Sequence, residues 1–283
     1  MTSDPIILTF LGGGNMARAL IAGLSASKQI AEHAYQLRVC DRNPDKLAKI
    51  SQDYGSFIEI QTFESVSAAL ERADIVVLAT KPQGLVALLE AHRCELDSHC
   101  LLISIAAGVT IASLQSASGC QRVVRAMPNT PAMVGKGATG LYASDTVDAK
   151  HRALAEAIFE ESGLSLWVKD ESLLSAVTAV SGSAPAYFFQ IIEHMAKTGE
   201  QMGLDYHDAL MLATQTMRGS ASMIVSAAHE QPPIGPRELR EQVTSKGGTT
   251  EQALLSFESA DLGEIIDDAM NACLRKAIEL ASA

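Results

Sequence analysis

Residues 6–17 read Ile-Ile-Leu-Thr-Phe-Leu-Gly-Gly-Gly-Asn-Met-Ala, an apolar run that gives way to three glycines and then to helix-forming residues. A strand, a glycine-rich turn and a helix with the spacing G-x-G-x-x-A are typical of a dinucleotide-binding βαβ unit. In such a unit Gly12 allows the tight turn, Gly14 lets a pyrophosphate approach the backbone, and Ala17 lets the helix pack closely on the strand. The helix N-terminus offers N–H groups and a partial positive charge to the phosphates. The expected contacts with the dinucleotide are Gly12, Gly14, Asn15, Met16 and Ala17. The alternative is that the glycines form only an ordinary tight turn.

Short apolar runs alternate with helical patterns through the first half of the chain. After residues 6–11, strands are expected at 36–40, 57–60, 75–79, 101–105, 122–126, 139–143 and 166–169, and the first two helices at 15–26 and 44–54. Strands and helices in alternation are typical of a parallel, doubly wound sheet, and continuous apolar runs fit strands that are buried on both faces. The sequence therefore predicts an α/β, Rossmann-like amino-terminal domain.

Beyond about residue 170 the strand-like runs stop and the pattern becomes helical. We expect two domains: an NAD(P)-binding Rossmann domain at 1–170 and an all-α domain at 171–283 for substrate binding and dimerisation. The segment 209–228 carries Arg218 as its single charge, and a helix with so small a polar face must be buried nearly all round. Because a small domain has little interior, we expect a second subunit to cover this helix, in a homodimer or a multiple of it.

The composition excludes several classes of partner. The 283 residues include 22 basic and 33 acidic side chains, a net charge of −11, which argues against binding to nucleic acid or to an anionic membrane. No apolar run approaches the roughly 18–20 residues that cross a bilayer, and residues 1–5 lack the basic start of a signal peptide. Five scattered cysteines without a C-x-x-C pair fit a reducing cytoplasm. No metal site is expected, because the spacing of the nearest candidates fits no compact ligand set: His92, Cys94, His99 and Cys100.

The second expected strand ends in Cys40-Asp41-Arg42-Asn43, at the position where such folds bind the adenosine ribose. An acidic side chain there takes the ribose hydroxyls of NAD, whereas an arginine accommodates the 2′-phosphate of NADP. Asp41 and Arg42 offer both groups, so we expect both NADPH and NADH to be accepted. The alternative for Asp41 is that it only caps the helix that begins at Pro44.

Two further segments follow expected strands at the carboxyl edge of the sheet, where open α/β sheets bind their ligands. They supply six more candidate cofactor contacts: Thr80, Lys81, Pro82, Ala106, Ala107 and Gly108. Lys81 has a plain alternative interpretation as a solvated surface lysine.

Three longer segments are more specific: Arg125-Ala-Met-Pro-Asn-Thr-Pro131, Ala179-Val-Ser-Gly-Ser-Ala-Pro-Ala-Tyr187 and Val243-Thr-Ser-Lys-Gly-Gly-Thr-Thr250. With the glycine turn and Lys81-Pro-Gln83, they stand in the order and spacing of pyrroline-5-carboxylate reductases, and the chain resembles that family over nearly its whole length. The resemblance implies hydride transfer, from NADPH in preference to NADH, to the C=N carbon of 1-pyrroline-5-carboxylate, which yields L-proline in the last step of proline biosynthesis. Asn129, in the first segment, is a further candidate cofactor contact. Ala184 and Lys246 depart from the family's usual glycine and proline.

The third segment places two glycines before Thr249-Thr-Glu-Gln252, which has the S/T-x-x-E/Q form of a capping box. The plain interpretation is an ordinary helix N-cap. The functional one is a nest of N–H groups and hydroxyls that binds a substrate carboxylate. The resemblance implies a substrate site formed by Ser245, Gly247, Gly248 and Thr249. It also implies that Thr250 hydrogen-bonds the ring nitrogen and is the catalytic residue.

Two other functions remain open. A hydroxyacid dehydrogenase of the 6-phosphogluconate-like class shares the overall build, but it needs a lysine or an acid to move the hydroxyl proton, and the loop at 245–250 argues against it. A non-catalytic, nucleotide-sensing regulator could use the same scaffold, but it would have no need of a substrate loop.

Overall fold

The computed structural model describes residues 5–26 and 35–282. Within these ranges the strands are β1 (Ile6–Leu11), β2 (Tyr35–Cys40), β3 (Ile60–Phe63), β4 (Ile75–Leu78), β5 (Leu101–Ser104), β6 (Val123–Met127), β7 (Gly137–Ala143) and β8 (Gly163–Trp167). The helices are α1 (Asn15–Ala26), α2 (Pro44–Tyr54), α3 (Val66–Leu70), α4 (Leu85–Ala91), α5 (Ile111–Ser118), α6 (Ala149–Glu160), α7 (Leu173–Val177), α8 (Ala184–Gln201), α9 (Tyr206–Ala227), α10 (Pro236–Gln242), α11 (Thr249–Ser259) and α12 (Leu262–Ser282).

The described strands form one sheet in the order β3-β2-β1-β4-β5-β6-β7-β8. Strands β1 to β6 are parallel, and the order reverses between β1 and β4, which creates a ligand-binding switch point at the carboxyl edge. The predicted doubly wound α/β domain followed by helices is therefore confirmed. The last two strands depart from a purely parallel sheet, because β7 is antiparallel to β6. Residues 128–136 are too few for the crossover of about a dozen residues or more that a parallel neighbour requires.

The central strands are buried on both faces, which explains their continuous apolar sequence. Successive side chains of a strand point to opposite faces. Leu8 and Phe10 of β1 accordingly belong to one hydrophobic cluster, while Ile7 and Leu11 belong to another. All of β4 is buried as well, so the sheet edge that carries the site stands on a well-packed scaffold.

Two predicted strands are displaced along the chain: the strand expected at 166–169 is β8 (Gly163–Trp167), and the strand expected at 57–60 begins three residues later. The sequence predicts a strand at 57–60, but β3 is Ile60–Phe63, and Phe57 lies in the turn after α2 with its side chain 72% exposed. Strand β3 pairs with β2 in register from Leu37–Ile60 to Cys40–Phe63. The boundary is therefore set by pairing with β2, which local hydrophobicity does not reveal.

The described residues divide into two compact units. The first takes in the described residues up to Pro185 together with those from Cys273 onward, and the second is Ala186–Ala272. Helix α12 thus begins in the second unit and ends in the first. The functional division at residue 170 stays a prediction. Among the described residues, no helix is long and apolar enough to cross a membrane.

Helix α9 in the second unit presents a large apolar surface. Its buried residues are all alanines, Ala209, Ala213 and Ala227. Its larger apolar side chains are 42–64% exposed: Met211, Leu212, Met223, Ile224 and Val225. Within one chain α9 is therefore not buried nearly all round, and such a surface is typical of a helix that another subunit covers.

Candidate cofactor cleft and substrate loop

The glycine turn after β1 fits closely between neighbouring strands. Gly12 has φ +107°, a conformation that glycine adopts readily. Its N–H donates to the carbonyl of Cys40, 2.7 Å away. A Cβ at Gly12 would lie 2.6 Å from the carbonyl oxygen of Ala79. This position therefore requires glycine both for its dihedral angle and for its contact with the end of β4.

The next two glycines of the turn have different surroundings. The N–H of Gly13 donates to Oδ2 of Asp41 at 2.8 Å. A Cβ at Gly14 would meet nothing within 4 Å, so the backbone there stands open to a ligand. Ala17 is 1% exposed and lies in the core between helix and sheet. The surroundings of Gly12, Gly14 and Ala17 agree with what the G-x-G-x-x-A pattern requires of its three small residues.

Asp41 is held by three donors at the end of β2. Oδ2 accepts from Gly13 N–H and from Nζ of Lys46 at 3.1 Å, while Oδ1 accepts from Asn43 N–H at 2.9 Å. Partial burial of the carboxyl acts to raise its pKa, but the hydrogen bonds from Asn43, Gly13 and Lys46 outweigh it and lower the pKa of Asp41. The N-cap of α2 is Asn43, whose side chain accepts from Asp45 N–H. Asp41 is therefore not the helix cap.

A cleft of about 600 Å³ opens at the carboxyl ends of β1, β2 and β4. Its lining includes predicted cofactor contacts from three segments of the chain: Gly12, Gly14, Asp41, Arg42, Thr80 and Lys81. The hydroxyl Oγ1 of Thr80 is buried and has no hydrogen-bond partner among the described residues. Three cationic side chains, those of Arg42, Lys46 and Lys81, line this cleft of an otherwise acidic chain. An open glycine backbone, an unpartnered hydroxyl and local positive charge fit a phosphate-bearing dinucleotide.

Lys46 is a cleft residue that the sequence patterns did not single out. The signal was present, because a helix that begins at Pro44 places residue 46 in its first turn, beside the end of the second strand. Eight predicted contacts do not line this cleft: Asn15, Met16, Ala17, Pro82, Ala106, Ala107, Gly108 and Asn129.

The second group of predicted contacts lies around a smaller cavity of about 50 Å³. Ala106, Ala107 and Gly108 line it together with Arg125 and the end of α12. Gly108 has φ +80°, and a Cβ there would lie 2.6 Å from the carbonyl oxygen of Leu280. This loop therefore needs glycine where the last turn of α12 passes it.

Asn129 uses its side chain within the fold. Its Oδ1 accepts from Ala138 N–H at 2.9 Å and its Nδ2 donates to the carbonyl of Ser181 at 3.1 Å. The residue is 8% exposed. These bonds connect the turn after β6 to β7 and to the segment before α8.

The predicted substrate loop lies in the second unit, immediately before α11. Gly247 has φ +75° and its N–H donates to Oε2 of Glu251 at 2.7 Å. The N–H of Gly248 donates to the carbonyl of Ser245 at 2.9 Å. The N–H of Gly247 thus has its partner in the first turn of α11, and the N–H of Gly248 has its partner in the loop itself.

The predicted capping box is wrong in its register. The N-cap of α11 is Gly248, without a side-chain hydrogen bond, and Thr249 is the first helical residue. Glu251 instead bonds back to Gly247. Because the first N–H groups of a helix have no intrahelical acceptor, Thr249 and Thr250 retain both N–H and hydroxyl groups that suit an anion.

Two parts of the chain match known protein families. Residues 7–108 match the family described as NADP oxidoreductase coenzyme F420-dependent, and residues 171–280 match pyrroline-5-carboxylate reductase dimerisation. Together with the glycine turn and its cleft, these matches define the class: a nicotinamide-dependent oxidoreductase with a Rossmann domain and a helical dimerisation domain.

Relatives along the whole chain narrow the class to one family. The pyrroline-5-carboxylate reductase of Pseudomonas aeruginosa is 42% identical over 97% of this chain and 96% of that protein. The structure of a pyrroline-5-carboxylate reductase from Coxiella burnetii gives a TM-score of 0.86 at 39% identity, covering 97% of this chain and 98% of that one. The Plasmodium falciparum pyrroline carboxylate reductase with NADP bound gives 0.82 at 26% identity, covering 99% and 100%. The chain belongs to the pyrroline-5-carboxylate reductase family, as its motifs predict.

Proposed function

We propose that this chain reduces 1-pyrroline-5-carboxylate to L-proline with a nicotinamide dinucleotide as hydride donor. The observation that carries the proposal is the full-length similarity to pyrroline-5-carboxylate reductases, combined with the glycine turn and the substrate loop of this chain, in which Lys246 replaces the family's usual proline. Neither a hydroxyacid dehydrogenase nor a non-catalytic regulator is favoured by these relatives. We retain the assignment of residues 1–170 to cofactor binding and 171–283 to substrate binding and dimerisation.

The first unit supplies the residues that hold the cofactor. The open backbone at Gly14 and the N-terminus of α1 face the pyrophosphate, and Thr80 Oγ1 donates a hydrogen bond to the same part of the ligand. Asp41 accepts from the ribose, and the loop at 106–108 borders the nicotinamide. When bound, the dinucleotide supplies the hydride.

The second unit supplies the residues that hold the substrate. Ser245, Thr249 and the N–H groups at the start of α11 bind the carboxylate. Gly247 and Gly248 shape the loop that brings these donors together. Thr250 hydrogen-bonds the ring nitrogen and stabilises it as the C=N carbon accepts hydride. A cyclic imine can arrive already protonated, so the site needs orientation and exclusion of water rather than a strong acid.

We propose NADPH as the preferred cofactor, with NADH also accepted. Arg42 and Lys46 line the cleft beside Asp41, and both can pair with a 2′-phosphate. The carboxylate of Asp41 opposes that phosphate, so the preference is modest. All five cysteines are free thiols, which fits the cytoplasmic location that we propose.

The experiment is oxidation of NADPH or NADH by the purified chain with 1-pyrroline-5-carboxylate, followed by the absorbance of the reduced nicotinamide. The same protein is assayed in reverse with 2-hydroxy and 3-hydroxy acids and NADP or NAD. Turnover of the imine alone supports the proposal, turnover of a hydroxy acid alone identifies a dehydrogenase, and binding without turnover identifies a regulator.

A further inference from the structure

A partly buried ion pair joins three segments of the first unit beside the loop at 106–108. Nη1 of Arg125 on β6 donates to Oε1 of Glu171 at 2.8 Å. The same oxygen accepts from the N–H of Ile111, the first residue of α5, at 2.7 Å. One carboxylate oxygen therefore ties a strand to the helix that follows this loop.

The environment of the pair makes it a strong constraint. The side chain of Arg125 is 10% exposed and that of Glu171 is 27% exposed. Charge-assisted hydrogen bonds are short and strong, and solvent screens them less when they are buried. A carboxylate at a helix N-terminus is also stabilised by the helix dipole, so Glu171 interacts favourably with both of its partners.

The two ends of the loop that this carboxylate anchors are held by other contacts, because Ile105 N–H donates to the carbonyl of Leu78 at 3.2 Å and the side chain of Thr110 caps α5. Its middle has fewer hydrogen bonds among the described contacts. Residues 105–110 connect β5 to α5, and Ala106 N–H bonds to the side chain of Ser104 at a long 3.3 Å. Gly108, at its centre, has φ +80° and lies against the backbone of Leu280. Arg125 lines the same small cavity as Ala106, Ala107 and Gly108. A shift of Ile111 would therefore move the loop directly.

We propose that Glu171, through Arg125 and the N–H of Ile111, is a positioning residue that fixes the 106–108 loop against the nicotinamide ring. This inference rests on the proposed function, because that function places the ring at the loop. Glu171 acts through the loop rather than on the reacting atoms. Its loss loosens the ring and leaves the adenosine half of the cofactor bound as before.

The test compares Glu171→Ala and Glu171→Gln with wild type. We expect kcat to fall about tenfold to a hundredfold in Glu171→Ala, as a small misplacement of reacting groups commonly costs. Glu171→Gln keeps an acceptor for both donors and should recover part of this loss. The fluorescence anisotropy of bound NADPH should also fall, more in Glu171→Ala than in Glu171→Gln. The affinity for 2′,5′-ADP, which lacks the nicotinamide, should not change in either variant.

Asp53→Ala is the matched control for Glu171→Ala, because Asp53 forms a comparable ion pair with Arg18 at 2.7 Å, with side chains 33% and 24% exposed. If Glu171→Ala alters kcat and anisotropy no more than this control does, or weakens 2′,5′-ADP binding in parallel, the positioning role is refuted. Should Glu171→Ala not fold, Glu171→Gln and Arg125→Lys are judged by the same three readouts. If wild type does not reduce 1-pyrroline-5-carboxylate, the proposed substrate is refuted, while the anisotropy comparison still decides the role of Glu171.

Discussion

Oδ2 of Asp41 accepts a hydrogen bond from the backbone N–H of Gly13, with 2.8 Å between the two atoms. This contact joins the end of β2 to the glycine turn after β1, across 28 residues of sequence. The acid that we propose for the ribose and the turn that we propose for the phosphates are thus directly hydrogen-bonded to each other. Changes at Asp41 should therefore alter cofactor choice through charge and also through the shape of the turn.

Replacement of Asp41 by serine should shift selectivity toward NADPH. The carboxylate repels a 2′-phosphate, and its removal also frees Lys46 to pair with that phosphate. We expect the ratio of kcat/KM for NADPH to that for NADH to rise about tenfold or more, equivalent to about 1.4 kcal/mol or more. Steady-state kinetics with both cofactors measure the ratio. Asp45→Ser, in the first turn of α2 and outside the cleft lining, should leave it unchanged; an equal shift in both variants would contradict the prediction.

Arg42→Ala should move selectivity in the opposite direction. A charge-assisted hydrogen bond is worth about 1.5–3 kcal/mol, so kcat/KM for NADPH should fall about tenfold to a hundredfold while the value for NADH changes little. The control is Lys49→Ala, which removes an exposed cation of α2 that does not line the cleft. If neither Asp41→Ser nor Arg42→Ala moves the ratio, the adenosine end of the cofactor binds elsewhere.

Much of this arrangement could be predicted from local sequence. The glycine turn is encoded in consecutive residues, and Gly12 sits where its steric contact requires it. The cleft residues of three segments could be grouped because parallel strands end at one edge of a sheet. Two features of the sheet were not predicted. The direction of β7 depends on the short connection from β6, and the position of β3 depends on its pairing with β2.

Other contacts have no local signal. Glu171 reaches Arg125 across 46 residues, so only the folded chain shows their pairing. At the start of α11 the sequence pattern predicts Thr249 as the N-cap, whereas in the structure the N-cap is Gly248 and Glu251 accepts from the N–H of Gly247. The sequence thus predicts which segments form the site more reliably than which atoms meet there.

Thr250→Ala should slow the reduction without affecting the cofactor. The loss of one hydrogen bond to the ring nitrogen in the transition state costs about 1–3 kcal/mol, or roughly one to two orders of magnitude in kcat. The dissociation constant for NADPH, measured by fluorescence titration, should barely change. Thr250→Ser retains the hydroxyl and should recover most of the rate. Full activity in Thr250→Ala would mean that the residue serves only the start of the helix.

The exposed face of α9 should be the centre of a dimer interface. Leu212→Glu places a charge on a side chain that is 60% exposed in one chain, and burial of an unpaired charge costs about 3 kcal/mol or more. Sedimentation velocity over a dilution series should show the dimer dissociating at roughly a hundredfold higher concentration. Phe57→Glu, at a 72% exposed apolar residue of the first unit, is the control. A folded, active wild-type monomer at all concentrations would contradict the interface.

The lowered pKa of Asp41 makes a defined contribution to stability at acid pH. Burial opposes the shift, but hydrogen bonds from Asn43, Gly13 and Lys46 favour the ionised carboxylate in the folded chain. The folded pKa lies below the ordinary value of 3.8, so the contribution is complete above that value and is lost as the pH falls through the folded pKa.

This contribution can be isolated with Asp41→Asn, which cannot ionise. Wild type should be the more stable of the two toward urea near neutral pH, and the difference between their free energies of unfolding should shrink as the pH falls below about 4. Asp45→Asn provides the baseline for general acid effects. Among the described contacts, the carboxyl of Asp45 has no such set of donors. A difference between wild type and Asp41→Asn that is independent of pH would show that the two side chains differ only in their packing, and that the carboxylate gains nothing from its three donors.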